Sequence, residues 1–136
     1  MCNVSAVVAL DAEFLASSVD DVRQTEDTIV SQWEGLTVST QEVRERVDEV
    51  LQPLGVETSL LVIRRANSLA LFFTCLTLSA LMSLRDQWRC RRLRRIVESL
   101  FQLLSGATDR VYIKILTWPL ADFNRCLEFF RSLQGE

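Results

Sequence analysis

From Ser68 to Leu84 the chain reads SLALFFTCLTLSALMSL, seventeen residues without a charge, closed by Arg64 and Arg65 on one side and Arg85 on the other. Such a run is either an interior strand passing into a helix or a membrane span. Counted from Ala66 it only just reaches the roughly 18 uncharged residues at which a span becomes a candidate. Asn67, Ser68, Thr74, Thr77, Ser79 and Ser83 dilute it, and no Trp or Tyr belt precedes it. A strand over Leu69 to Leu76 explains more of the pattern. Leu and Phe occupy both of its alternating faces, as in a strand covered on both sides. Thr77 or Ser79 can then cap a helix by accepting from free backbone N–H groups. The alternative is a small single-span membrane protein, with its span near 66–84 and an Arg-rich cytosolic segment after it.

A chain of 136 residues fits one α+β domain over 1–136 with a real core. Its net charge of −3 hides a lopsided distribution. Residues 1–68 hold twelve acids against five Arg, and residues 69–136 hold six acids against ten bases. That asymmetry implies pairing of the two halves or a charged partner. There is no His, which excludes His-based acid–base, nucleophile and metal chemistry. Cys2, Cys75, Cys90 and Cys126 are scattered without a CxxC, the usage of free thiols in a reducing compartment. The N-terminus lacks a basic n-region, and Asp11 and Glu13 break its apolar run, so a cytoplasmic location is expected.

Val4 to Leu10 reads as a first strand. Residues 11–38 are acidic, with Val19, Val22, Ile29, Val30 and Trp33 loosely at helical spacing, and are expected to form a peripheral helix or crossover ending near Gly35. Ser39 with Glu42 matches a capping box. Val43, Val47, Val50, Leu51 and Leu54 then share one helix face opposite Arg44, Glu45, Asp48 and Glu49, and Pro53 and Gly55 stop the helix. Thr58 to Arg65 follows as a strand, and Asn67-Ser68 turns it into the next. Leu93, Val97, Leu100 and Leu104 form a helical stripe. Extended backwards, that stripe would bury Asp86 and Arg89, which is costly, so a break or a start is expected within Arg85 to Arg89. Arg110 to Trp118 alternates as a strand with Val111, Ile113 and Ile115 on one face, and Pro119 opens a broadly apolar last helix. The first six of these elements have the βαββαβ order of the ferredoxin-like fold, with helices on one face of an antiparallel sheet and an extra C-terminal helix.

Arg85, Arg89, Arg91, Arg92, Arg94 and Arg95 lie within eleven residues. They read either as a solvated helix face, partly neutralised by Glu42, Glu45, Asp48 and Glu49, or as a site for phosphate, acidic lipid or an acidic segment. The same element order belongs to an RNA-binding module that stacks bases on strand aromatics. VSAVVAL has none, and Phe72-Phe73 lacks the basic-Gly-aromatic context, so no nucleic-acid partner is expected. The four glycines form no phosphate loop, the cysteines no cluster ligation, and the pairs Asp20-Asp21 and Glu26-Asp27 no recognisable dyad. No catalytic residue, cofactor or metal is expected. Trp33, Trp88 and Trp118 are candidate anchors for a partner. Trp88 stands out because it lies opposite the Leu93 to Leu104 stripe.

SLLVIRRANSLALFF, LRRIVESLFQLL, VYIKILTWPLADFNRCLEFF and TQEVRERVDEVLQPL resemble, in order, the basic-tipped hairpin, the Leu-rich helix, the closing strand and helix, and the pre-hairpin helix of the TRADD N-terminal domain family. Those are domains of death-domain adaptors in tumour-necrosis-factor receptor signalling, and the resemblance covers most of the chain. It implies a cytoplasmic scaffold for apoptotic or inflammatory signalling whose sheet edge and hairpin tip engage a TRAF-family adaptor. In that family the contacts come from first-strand aromatics and hairpin-turn polar residues. The matching positions are Val7 and Ala9, which are not aromatic, and Arg64, Ala66 and Asn67. Together with Arg65, Trp88, Arg85, Arg89 and Arg92 they form the expected partner-binding set. The membrane is not an expected partner.

Overall fold

The computed structural model describes residues 5–15, 19–66, 68–106 and 110–134. Cys2 and Asn67 lie outside the described residues, as do the side chains of Asp20 and Asp21. The order is β1 (Ala6–Phe14), α1 (Val19–Glu34), α2 (Gln41–Leu51), β2 (Thr58–Arg65), β3 (Leu69–Cys75), α3 (Leu78–Arg89), α4 (Arg92–Ser105), β4 (Ile113–Thr117) and α5 (Leu120–Gln134). Short 3₁₀ turns at Leu36–Val38 and Gln52–Leu54 flank α2. The sheet runs β2-β3-β1-β4, and each neighbouring pair is antiparallel. β1 and β2 are therefore parallel with β3 between them, and β3 and β4 are parallel with β1 between them. This is the split βαβ arrangement of the ferredoxin-like α+β fold.

The uncharged run divides between two elements. Residues 69–75 form a central strand, Thr77 caps α3 by accepting from Ala80 N at 3.1 Å, and the rest begins that helix. No helix among the described residues is long and apolar enough to cross a membrane. β3 is covered on one face only, not on both: Leu69, Leu71, Phe73 and Cys75 are buried, whereas Ala70, Phe72 and Thr74 are half-buried. β1 likewise buries Ala6, Val8, Leu10, Ala12 and Phe14 and turns Val7, Ala9, Asp11 and Glu13 outward. The two acids do not end the strand at Leu10, because alternation sends both to the open face.

Helices α1, α3 and α4 cover the buried face, and α2 packs on α4. α4 sits at their centre, in contact with α1, α2 and α3, and buries Leu93, Ile96, Val97, Leu100, Phe101 and Leu104. α1 is not peripheral, since Ile29 is completely buried and the helix packs on α4. The cap of α2 is Thr40 rather than Ser39: its hydroxyl accepts from Val43 N at 3.4 Å, while Ser39 donates its hydroxyl to Gly35 O. The break between α3 and α4 falls at Cys90-Arg91, just beyond Arg85 to Arg89, with Arg91 in the left-handed region at φ 68°. In β4 a bulge at Lys114 interrupts the alternation, so Ile113 and Leu116 are buried and Ile115 faces outward.

The β4 edge and the spare length of β1 are closed by side chains. β4 reaches only residues 11–14 of β1. Along the part of β1 left over, α5 docks: Asp122 accepts from Ala9 N at 3.1 Å, and Arg125 and Cys126 donate to Val7 O at 2.7 and 3.5 Å. α5 thus seals an edge and leaves the second sheet face uncovered. Asp122 also accepts from Trp118 Nε1 at 2.9 Å and pairs with Arg125. Asp122→Ala would strand two half-buried donors and is expected to cost about 2–4 kcal/mol of unfolding free energy. Urea denaturation checks this against Arg131→Gln, an exposed change on the same helix expected to stay within about 0.5 kcal/mol of wild type.

Candidate functional site

The open face of the sheet is built from register. Ser59, Thr74 and Val7 stand in one row, Val62, Phe72 and Ala9 in the next, then Arg64, Ala70, Asp11 and Thr117, and finally Glu13 beside Ile115. None of these residues is buried. Val7 is 36% exposed and Ile115 49%. Phe72 lies in the middle, with the small Ala9 on one side and Val62 on the other, and the Arg64 guanidinium sits 5.7 Å from its ring centroid. A bulge in β2 between Leu60 and Val62 returns Val62 to this face and leaves Leu61, 56% exposed, on the edge. Aromatic rings and arginines are the residue types enriched at protein–protein contacts. The acids Asp11 and Glu13 mark the end of the face next to β4, with Glu13 3.9 Å from Lys114.

Three of the residues expected from the sequence meet here, namely Val7, Ala9 and Arg64. Arg65 points the other way and ties β2 to α1 through Glu26 at 3.4 Å and a close pairing with Asp27. Ala66 shapes the hairpin turn, donating its N–H to Ser68 O at 2.8 Å. Phe72, Val62 and Ile115 complete the face and were not singled out by sequence. Phe72 and Val62 sit in apolar strands whose two faces look alike, and Ile115 changes face only because of the bulge.

The Arg-rich segment separates into two groups. Arg85 is enclosed, its guanidinium 4.4 Å from the Trp88 ring, 5.1 Å from Trp118 and 4.7 Å from Phe123, and it donates to Trp118 O at 3.2 Å. Burial lowers its pKa from the ordinary value and the neighbouring Arg89 lowers it further. Trp88 is half-buried, donates Nε1 to Leu116 O at 2.9 Å and meets Trp118 edge-on. Arg94 donates to the Ile113 carbonyl and, at 2.9 Å, to the Lys114 carbonyl. Arg89, Arg91, Arg92 and Arg95 are exposed, and among the described residues no carboxylate pairs with them. The acids of α2 therefore do not neutralise this face by direct contact. Beside it, a shallow groove of about 1060 Å³ passes Leu78, Met82 and Cys90 along α3. Among the described residues, no three His, Cys, Asp or Glu side chains are grouped to hold a metal ion.

No family model, curated protein or solved structure matches this chain.

Two ionisable groups give direct checks on this arrangement. Burial raises the Glu26 carboxyl above its ordinary 4.5; Arg65 pulls it down, Asp27 pushes it up and Arg23 pulls it down, in that order of size. A carboxyl that binds its proton more tightly when folded favours folding most when protonated, and that contribution is lost as pH rises through its folded pKa. Unfolding free energy of wild type relative to Glu26→Gln is therefore expected to fall as pH rises above 4.5, measured by denaturant titration. Burial likewise pushes the Cys75 thiol to about 11, and Cys126 is raised for the same first reason. Iodoacetamide at neutral pH should modify the exposed Cys90 in the native protein and reach Cys75 and Cys126 only after unfolding, read by peptide mass spectrometry.

Proposed function

We propose that this chain is a non-enzymatic protein-interaction module, a cytoplasmic adaptor in death-receptor or inflammatory signalling that docks its partner on the open face of the sheet. The observation that carries the reading is that face. Its apolar members Val7, Ala9, Val62 and Phe72 adjoin one another in register, with Ile115 set apart beyond the row of Arg64 and Asp11, and no helix covers them among the described residues. Contiguous exposed apolar surface of this kind marks interaction sites.

The edges favour face docking over strand addition, two being closed and the third broken by a bulge. A partner strand would need free N–H and C=O groups along an edge. The outer side of β4 gives its groups to α3 and α4, the spare length of β1 gives its own to α5, and β2 is interrupted by its bulge and flanked by Arg64 and Arg65. The resemblance to TRADD N-terminal domains names the partner class, a TRAF-family adaptor, and this face supplies Val7, Ala9 and Arg64 of the residues it points to. With valine and alanine where that family has strand aromatics, the ring at the centre of the contact is Phe72, from the neighbouring strand.

Isothermal titration of the purified chain with a purified TRAF-family adaptor tests this reading. Wild type is expected to bind. Phe72→Glu and Arg64→Glu, both on the solvent side, are each expected to weaken binding at least about tenfold while leaving circular dichroism and unfolding midpoint close to wild type. No heat with wild type, or unchanged affinity in both variants, would defeat it.

A further inference from the structure

A second site lies where α3 meets α4. The outer surface there holds a cavity of about 320 Å³ lined by Trp88, Arg89, Arg91, Arg94, Ile115 and Leu116. Its volume is at the lower end of those that take small ligands. The wall is basic on the helix side and apolar on the strand side, and the residues that form it are held independently of any ligand. Trp88 is fixed by its hydrogen bond to Leu116 O, and Arg94 by the carbonyls of Ile113 and Lys114. Arg89 and Arg91 have no such partner, and among the described residues no carboxylate pairs with either, or with Arg94. Of the acids engaged with the same strand, Glu98 spends one oxygen on Ile113 N at 2.7 Å, and Glu13, across from Ile115, lies 3.9 Å from Lys114.

Arg91 is the one non-glycine residue among those described with positive φ. A left-handed Arg carries backbone strain that glycine would not. The strained position puts a third guanidinium over the cavity. It also ends α3 and starts α4 with no side-chain cap, so the positive end of the α4 dipole adds to the same field. In a chain whose net charge is −3, three convergent guanidiniums without counter-charge make a local anion site. A phosphate monoester, with three terminal oxygens and close to two negative charges, can engage three guanidinium forks at once, which a single carboxylate cannot.

We propose that this cavity binds a phosphate monoester, held by Arg89, Arg91 and Arg94 with Trp88 as its apolar wall. The ester is either a small soluble molecule or the exposed headgroup of a phosphorylated lipid. The site shares only Ile115 with the partner reading of the sheet face, and its test uses none of the variants of the adaptor titration, so either reading can fail without the other.

Two arms separate the sources. In one, the purified chain is titrated calorimetrically with inositol 1,4,5-trisphosphate. In the other it is floated with phosphatidylcholine vesicles containing phosphatidylinositol 4,5-bisphosphate, against plain phosphatidylcholine vesicles. Binding in the first arm alone assigns a soluble ester, and binding in both assigns the headgroup; either supports the site. Arg91→Gly suits the backbone at this position, so it tests the guanidinium without endangering the fold. Arg91→Gly and Arg89→Gln are each expected to weaken binding about tenfold. Arg92→Gln and Arg95→Gln, equal in charge change but outside the cavity lining, are expected to change affinity less than about threefold. The proposal is overturned if neither probe binds, or if the last two variants weaken binding as much as the first two, since that would mark a diffuse charged surface.

Discussion

The outer edge of β4 is answered, group by group, from two helices, and that constraint positions much of the molecule. Gln102 accepts from Val111 N, Glu98 accepts from Ile113 N, Arg94 donates to the carbonyls of Ile113 and Lys114, Trp88 donates to Leu116 O, and Arg85 donates to Trp118 O. Positions 94, 98 and 102 recur every four residues, so a single face of α4 runs beside the strand. An edge strand left unpaired is a template for aggregation, and its groups cost free energy when buried without partners. Here the polar face of an amphipathic helix does the pairing while its apolar face fills the core. The two tasks fix the rotation of α4 about its own axis.

The same logic places α5. Because β4 is only five residues long, β1 keeps a stretch of edge with no strand beside it, and Asp122, Arg125 and Cys126 take that stretch. Trp118 links the two closures: its indole donates to Asp122, its carbonyl accepts from Arg85, and its ring meets both Trp88 and Phe123 edge-on. Cation–π contacts of a partly buried arginine are worth about 0.5–2 kcal/mol each, so Arg85 is a structural residue. With α5 committed to the edge, nothing in the described chain covers the far face of the sheet. The open face is thus a consequence of a short fourth strand, and its availability to a partner rests on that length.

Helix α2, the hairpin of β2 and β3, and the split of the uncharged run at Thr77 were legible because each rests on local chemistry: a 3.6 period, a turn, a hydroxyl cap. The acids of β1 were misleading. Asp11 and Glu13 look like the end of an apolar run, yet on a strand with one wet face they sit where polar residues belong. The bulges at Leu61 and Lys114 could not be read, since an inserted residue changes which side every later residue faces without altering composition. That is why Ile113 and Ile115, which alternation puts on one face, end up on opposite faces, one buried and one exposed. Trp88 lies opposite the Leu93 to Leu104 stripe only if the register of that helix continues back through Cys90 and Arg91. The left-handed residue at Arg91 breaks that register, and Trp88 turns toward β4.

The break at Arg91 also sorts the arginines into two physical classes that their spacing in the chain conceals. Arg85 and Arg94 reach the strand edge and have carbonyl oxygens to donate to, so their charge is anchored and partly desolvated. Arg89, Arg91, Arg92 and Arg95 have no carboxylate partner among the described residues. A purely solubilising surface would be served as well by glycine or asparagine at a left-handed position, either of which avoids most of the backbone strain. An arginine there accepts the strain and places its guanidinium beside Arg89 and Arg94 on one cavity, raising the repulsion among like charges. Local cost of that kind, incurred twice at one point, is what a site for an opposite charge requires and what a solvated helix face does not.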